Sequence, residues 1–415
     1  MDARTFAARA NVRVVSSLRS AIAEEEMVLA GVHSQGIRIM AARAEFLVVR
    51  MEAVPFELAR RLKEAMHAVG GDAAIEETAW AGAHKETPAV IMGTRRQFKD
   101  ALRSLEKEGP EGEVLAEVLA ETFDHYNRRD FVLHTRAGEL RLGQGPPAIM
   151  GILNVTPDSF SDGGSFLQPA AAVDHARRMA DEGAGVIDVG GESTRPGSPP
   201  VDADEELRRI MPVITAIVRE VRCPISVDTS KAAVARQALG AGAAIVNDVT
   251  ALSGDPDMAG VVAESGCPVV LMHMKGTPLT MQKSPFYADL MGEITAFLRR
   301  AIDAAVSAGV DREQIIVDPG IGFGKTVNHN LRILLRLKEL SSLGRPILVG
   351  PSRKSFVGRM LSLPVGERIF GTAAAVAMAA ASGAAMLRVH DVKEMRQVAA
   401  VAACISAGGA FEENT

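Results

Sequence analysis

The chain has 415 residues, 47% of them hydrophobic and 4% aromatic, with a formal net charge of −5. That length suggests two or three domains of ~150 residues, although a barrel runs as one unit of ~250. Mild acidity and few aromatics offer nucleic acid neither attraction nor stacking platforms, and no run approaches the ~20 apolar residues of a membrane span. The cysteines, Cys223, Cys267 and Cys404, lie far apart without a C-x-x-C pair, against a disulfide framework or structural zinc. Residues 1–15 lack the apolar stretch of a secretory signal. A reducing, cytoplasmic setting is the expectation.

In chain order, residues 44–54 (AEFLVVRMEAV) read as a strand, and 56–69 have helical spacing that stops at Gly70-Gly71. Short strands are expected at 73–77 and 88–93, an amphipathic helix at 96–108 and a further helix at 111–127. Residues 1–127 are therefore expected to form a small N-terminal α+β domain, in which no nucleophile–base pair, metal cluster or phosphate loop is seen. Residues 131–142 carry two β-like runs around Ala137-Gly138, a β-hairpin where a second domain, 128–415, begins.

From Ala148 a unit repeats eight times: a β-rich run, a polar residue at its end, a loop and a helix. The runs are 148–155, 185–190, 224–228, 244–248, 268–273, 314–318, 346–350 and 385–390. Helical segments between them include 204–221, 231–242, 289–308 and 330–343, and Gly183, Gly242, Gly266, Gly309, Gly344 and Gly383 read as helix stops. Continuously apolar strands alternating with helices belong to a parallel sheet covered on both faces. Eight such units predict an α/β fold closed as a TIM (β/α)8 barrel; an open doubly wound sheet ranks lower because no topological break interrupts them.

A barrel carries its chemistry at the C-terminal strand ends. Here these read Asn154, Asp188 with Glu192, Asp228, Asn247-Asp248, His273, Asp318, residues 352–355 with Arg353 and Lys354, and Arg388 with His390. Any single one reads equally well as a cap for the next helix. Both charge signs converging on one rim point to a functional site. Residues 320–326 (GIGFGKT) look like the end of a phosphate loop, but Pro319 stands where its first glycine belongs, so ATPase and Rossmann readings are rejected. The glycosylation sequon at Asn154 falls on a strand end and is set aside.

The motifs themselves resemble a known family. IMGILNVTPDSFSDGG (149–164), VIDVGGESTRPG (186–197), SVDT (226–229), VNDV (246–249), LMHM (271–274), DPGIGFGK (318–325), GPSRKS (350–355) and RVHDV (388–392) occur in the order seen in dihydropteroate synthases, pterin-binding barrel enzymes. The resemblance covers the last two-thirds of the chain and leaves 1–127 as an extension. It implies condensation of 6-hydroxymethyl-7,8-dihydropterin diphosphate with p-aminobenzoate, giving 7,8-dihydropteroate and diphosphate in folate biosynthesis, with Mg²⁺ and with sulfonamides as mimics of the amine.

By that resemblance, Asp228, Asn247, Met272, Asp318, Phe323 and Lys354 bind the pterin, its amino and ring N–H groups reaching a carboxylate as a fork. Asn154, Thr194, Arg195, Arg388 and His390 take the diphosphate, and the Asn154 carbonyl oxygen is a hard ligand suited to Mg²⁺. Phe160, Thr194, Pro196, Phe323 and Ser355 hold p-aminobenzoate. The catalytic set is Asp228, Lys354, Asp162 and Arg195, with Asp162 and Arg195 acting when the loops 158–166 and 192–201 close as lids. Met272 reads equally well as plain core. His273 and Asp188 are read as structural members of the rim.

The expected chemistry is dissociative: diphosphate leaves first, Asp228 stabilises the charge spread into the dihydropterin, and the cations stabilise the leaving anion. Small side chains in 372–381 suggest close helix packing, and the resemblance implies a homodimer there. Two rivals are a methyltransferase acting on methyltetrahydrofolate, which has no need of a diphosphate site, and a non-catalytic pterin-binding protein. The intact DSFSDGG and STRPG loops, Lys354 and the Arg388–His390 pair favour the synthase.

Overall fold

The computed structural model describes residues 20–77, 85–156, 169–193, 198, 200–278 and 280–408. The chain divides into two compact units, Met1–Glu121 and Thr122–Thr415.

In the first unit, Phe46–Pro55, Asp72–Ile75 and Glu86–Thr94 form a three-stranded antiparallel sheet with Glu86–Thr94 in the middle. The central strand alternates, burying Thr87, Ala89, Ile91 and Gly93 on one face. Helices Phe56–Ala68 and Arg95–Leu105 contact that strand and bury Leu62, Met66, Phe98 and Leu105. The second helix starts on a capping box, Thr94 with Gln97, which satisfies two otherwise orphaned N–H groups. These three strands and two helices match the expected ones to within two residues at most boundaries. Helices Ser20–Leu29 and Ser34–Ala44 were not anticipated. The apolar residues of the first are scattered around its circumference, so its sequence carries no 3.6-residue stripe.

The second unit opens with the hairpin, Phe131–Thr135 paired antiparallel with Gly138–Leu142. Eight parallel strands follow: β1 (Ala148–Asn154), β2 (Val186–Gly190), β3 (Ile225–Asp228), β4 (Ile245–Asp248), β5 (Val269–Met272), β6 (Ile315–Asp318), β7 (Leu348–Val349) and β8 (Met386–Val389). Their spatial order is β6-β5-β4-β3-β2-β1-β8-β7. One parallel bridge, Val317 to Ile347, joins β6 to the residues entering β7 and completes the TIM barrel. Strands β3, β4, β5 and β6 are buried at every position, the consequence of helices outside and packed side chains within.

Two apolar layers result. The larger lies between strands and helices, with Ile210, Ile214, Leu298 and Ile302 at zero to 2% exposure. The smaller is the barrel floor, where Phe131, Leu133 and Leu142 of the hairpin pack with Met150, Val270, Ile316 and Met386. All six glycines expected to stop helices have positive φ, from 64° at Gly266 to 116° at Gly242. The expected helix 330–343 is instead an α-helix, Val327–Leu335, followed by a 3-10 stretch, Leu337–Leu343. That stretch ends at Gly344, where a Cβ would come within 2.5 Å of the His125 ring.

Candidate active site

The strand ends converge on one buried polar cluster. Asp188 of β2 is fully buried, and its Oδ2 accepts both the Arg388 Nε–H at 2.6 Å and the Asn247 amide N–H at 3.0 Å. Arg388 of β8 then donates through Nη2 to Asp228 Oδ2, also at 2.6 Å. Asp228 and Asn247 are register partners on β3 and β4, so their side chains leave the sheet side by side. Because the Asn247 N–H₂ is held by Asp188, its carbonyl oxygen is left to face a ligand.

Burial sets the charge states. It pushes the Asp228 carboxyl up to about 7, against the pull of Arg388 and with reinforcement from Asp188. Burial opposes the Arg388 cation, but Asp188 and Asp228 hold its pKa above the ordinary guanidinium value. Asp318 of β6 is pushed by burial up to about 6, while the Gly320 N–H, 2.6 Å from Oδ1, and Lys354 pull it down. Burial, then the Arg388 charge, lower Lys354 to about 8. Its Nζ lies 4.2 Å over the Phe323 ring, a cation–π contact. Phe323 packs with Met272 and Met281, flanked by Val249 and Met274, an apolar wall beside the carboxylates.

Backbone geometry places Lys354. The preceding Arg353 has φ of 55°, a left-handed conformation costing about 1–2 kcal/mol for a non-glycine residue. Its N–H donates to Thr372 Oγ1 at 3.0 Å and its guanidinium pairs with Asp391, so Arg353 holds the turn rather than facing the cluster. Ser352 Oγ accepts the His390 N–H at 3.2 Å and lies 3.0 Å from His390 Nδ1. Ser352 thus anchors both the backbone and the ring of His390. Burial, then Arg353 and Arg388, lower His390 to about 3, so its imidazole is neutral.

The glycine-rich run after β6 has a packing cause. Gly320 and Gly324 have φ of 69° and 67°, and a Cβ at either would fall 2.0 Å from the His273 carbonyl oxygen or 2.3 Å from that of Lys275. The run is glycine-rich because it presses on the backbone leaving β5, not because it cradles a phosphate.

Of the expected site residues, Asp228, Asn247, Met272, Asp318, Phe323, Lys354, Arg388 and His390 all lie at or just beyond the strand ends. Asn154 ends β1 half-buried, and Ser355 is exposed as the first residue of helix Ser355–Leu361. Phe160, Asp162, Thr194, Arg195 and Pro196 lie outside the described residues. His273 is a buried histidine with its ring edge-on to Phe297 at 4.9 Å. Asp188, set aside as structural, is the shared acceptor of the cluster. Two further residues line the site: Lys325, whose buried partners the motif DPGIGFGK does not reveal, and Met281, in a loop without periodicity.

A family model described as pterin binding enzyme matches residues 150–390. A dihydropteroate synthase of Synechocystis is 50% identical over 255 residues, which are 61% of this chain and 88% of that protein. The chain belongs to the pterin-binding enzymes and, among them, to the dihydropteroate synthases. The structure of the Xanthomonas albilineans dihydropteroate synthase with 4-aminobenzoic acid covers 68% of this chain and all of that one, at 43% identity and a TM-score of 0.63. A probable bifunctional folylpolyglutamate synthase/dihydropteroate synthase of Haloferax volcanii is 42% identical over 352 residues, 83% of this chain and 41% of that protein. Those 352 residues exceed the length of the second unit, so this match runs into the first. A dihydropteroate synthase is a transferase of folate biosynthesis, so the methyltransferase and non-catalytic readings fall away.

Proposed function

We propose that this synthase joins 6-hydroxymethyl-7,8-dihydropterin diphosphate to p-aminobenzoate by a dissociative step at the barrel mouth. The observation that carries this reading is the pair of buried acids on one guanidinium, Asp188 and Asp228 around Arg388, beside Asp318 and Lys354. The pterin lies between the Met272–Phe323 wall and Asp228, its N–H groups donated to Asp318 and its acceptor edge facing Asn247 and Lys354. The methylene C–O bond breaks heterolytically and its electron pair leaves with diphosphate. Positive charge spreads into the ring, where ionised Asp228 stabilises it. The neutral arylamine then forms the C–N bond with its lone pair and loses one proton to solvent.

Arg388, the neutral imidazole of His390 and Asn154 are the described residues assigned to the anion. Among the described residues no group of three His, Cys, Asp or Glu could hold a metal ion. Asn154, at the end of β1, would hold Mg²⁺ through its side-chain carbonyl oxygen, a hard donor of the kind this ion favours. When bound it neutralises charge on the leaving group. Thr194, Arg195, Asp162, Phe160, Pro196 and Ser355 are assigned to the anion and arylamine as the family resemblance implies.

The catalytic unit is taken as 128–415, with 1–127 an accessory domain. No described helix is long and apolar enough to cross a membrane, in keeping with action in the cytoplasm. Helices Ile369–Ala381 and Val392–Ser406 leave Phe370, Met378, Val401 and Ile405 49–84% exposed, an apolar face suited to a homodimer. The test of the mechanism is release of diphosphate from the pterin diphosphate with p-aminobenzoate omitted. Slow release under those conditions supports dissociation; release strictly dependent on the amine overturns it.

A further inference from the structure

Lys325 closes the glycine-rich run after β6 and is 2% exposed. A buried ammonium is costly unless its charge and its three N–H groups are matched. Its Nζ donates to the Phe323 carbonyl at 2.9 Å and the His273 carbonyl at 3.3 Å, and lies 2.9 Å from His273 Nδ1. All three acceptors are neutral. Two belong to the residue leaving β5 and one to the loop leaving β6, so the amine ties two loops together instead of pairing with one acid. Burial lowers the Lys325 amine to about 7, with the Asp318 charge opposing that fall.

The surroundings reinforce the tie. Gly320 and Gly324 lie so close to the carbonyls of His273 and Lys275 that neither tolerates a side chain. The Tyr287 hydroxyl donates to the Gly324 carbonyl at 2.9 Å, and its ring lies 6.1 Å from that of His273. Burial, then Lys325, keep His273 neutral, with its pKa lowered to about 3. The Nδ1 lone pair is therefore free to accept from the ammonium. Phe323 and Asp318, the wall and the carboxylate of the pocket, sit on the loop so held.

We propose that Lys325, through His273, is a positioning residue for pterin recognition: it sets the loop after β6 so that Asp318 and Phe323 meet the pterin together. This rests on the reading of the strand-end pocket as the pterin site. Substitution K325M keeps the length of the side chain and removes its donors. Loss of hydrogen bonds from a charged donor predicts roughly 10-fold or weaker pteroate binding by calorimetry. KM for the pterin diphosphate is expected to rise in parallel, with kcat little changed.

H273N, whose amide oxygen stands where Nδ1 stood, is expected to bind pteroate nearly as the unsubstituted protein does. H273Q, which reaches past that position, is expected to behave like K325M. A folded K325M with unchanged pteroate affinity overturns the proposal. If K325M does not fold, equal affinities for H273N and H273Q overturn it instead. D318A separates the two levels of the argument: if it binds pteroate normally, the pocket reading falls, whereas loss in D318A with none in K325M removes only the role of Lys325.

Discussion

Asp188 and Arg388, 200 residues apart in the chain, meet at 2.6 Å beneath the mouth of the barrel. The same carboxylate oxygen holds the Asn247 amide, so one buried atom orients both a cation and a neutral amide. Removing one partner of a buried pair costs about 3–5 kcal/mol because the other is left uncompensated. Arg388 keeps Asp228, so D188A is expected at the low end of that range. It should lower the thermal midpoint and weaken pteroate binding by at least about 10-fold, each 1.4 kcal/mol being tenfold. A D188A protein with wild-type midpoint and affinity would contradict the shared-acceptor role.

Pterin affinity should rise with pH on the acid side. Asp318 and Asp228 accept pterin N–H groups or face its charge only when ionised, and burial raises them to about 6 and about 7. Calorimetry between pH 5 and 8 should show pteroate binding strengthening through that interval. Stability of the ligand-free protein runs the other way. A carboxyl whose folded pKa lies above its unfolded value near 4 holds its proton longer when folded, so its contribution to stability falls as pH rises from about 4 to 6 for Asp318. The stability of the protein relative to D318N, measured by denaturant unfolding, should therefore decline across that window; a rise would reverse the assigned sign.

Lys354 should supply the alkaline limit. Its folded pKa is lowered to about 8, by burial first and then by Arg388. Affinity for the pterin diphosphate should fall as pH passes 8 and the cation is lost. K354M should abolish that limb and reduce affinity at pH 7 by roughly 10-fold, the effect of one charged hydrogen bond. An unchanged alkaline limb in K354M would assign it to another group.

His390 should show no titration near 6.5, because it is already neutral, with its pKa lowered to about 3. H390A removes a neutral imidazole and is expected to raise KM for the pterin diphosphate by about 3–10-fold, with the shape of the pH profile preserved. A lost acid limb in H390A would show that the imidazole acts as a cation.

The barrel was legible because eight continuously apolar runs, each followed by a polar residue and a helix, repeat without a topological break. The helix stops were legible because glycine alone takes their φ without strain. Which polar ends pair with which was not legible. Asp188 resembles a buried structural acid until Arg388 and Asn247 are brought to it from β8 and β4 by closure of the sheet. Lys325 was hidden for a related reason: its partners, His273 and Phe323, are backbone and ring acceptors, which leave no charge pattern in the sequence. Arg353 sits in a motif beside Lys354, yet its φ of 55° turns the two side chains to different tasks.

Closure of the barrel is uneven. Strands β5 and β6 share four registered pairs, whereas β6 and the approach to β7 share the single bridge at Val317 and Ile347. Asp318 stands on one side of that seam and Lys354 on the other. A pterin held by both spans the seam as an added rung, so the ligand completes the circular ladder that the backbone closes with one stitch. In amide exchange, the residues flanking the seam would then be the ones most slowed when the pocket fills.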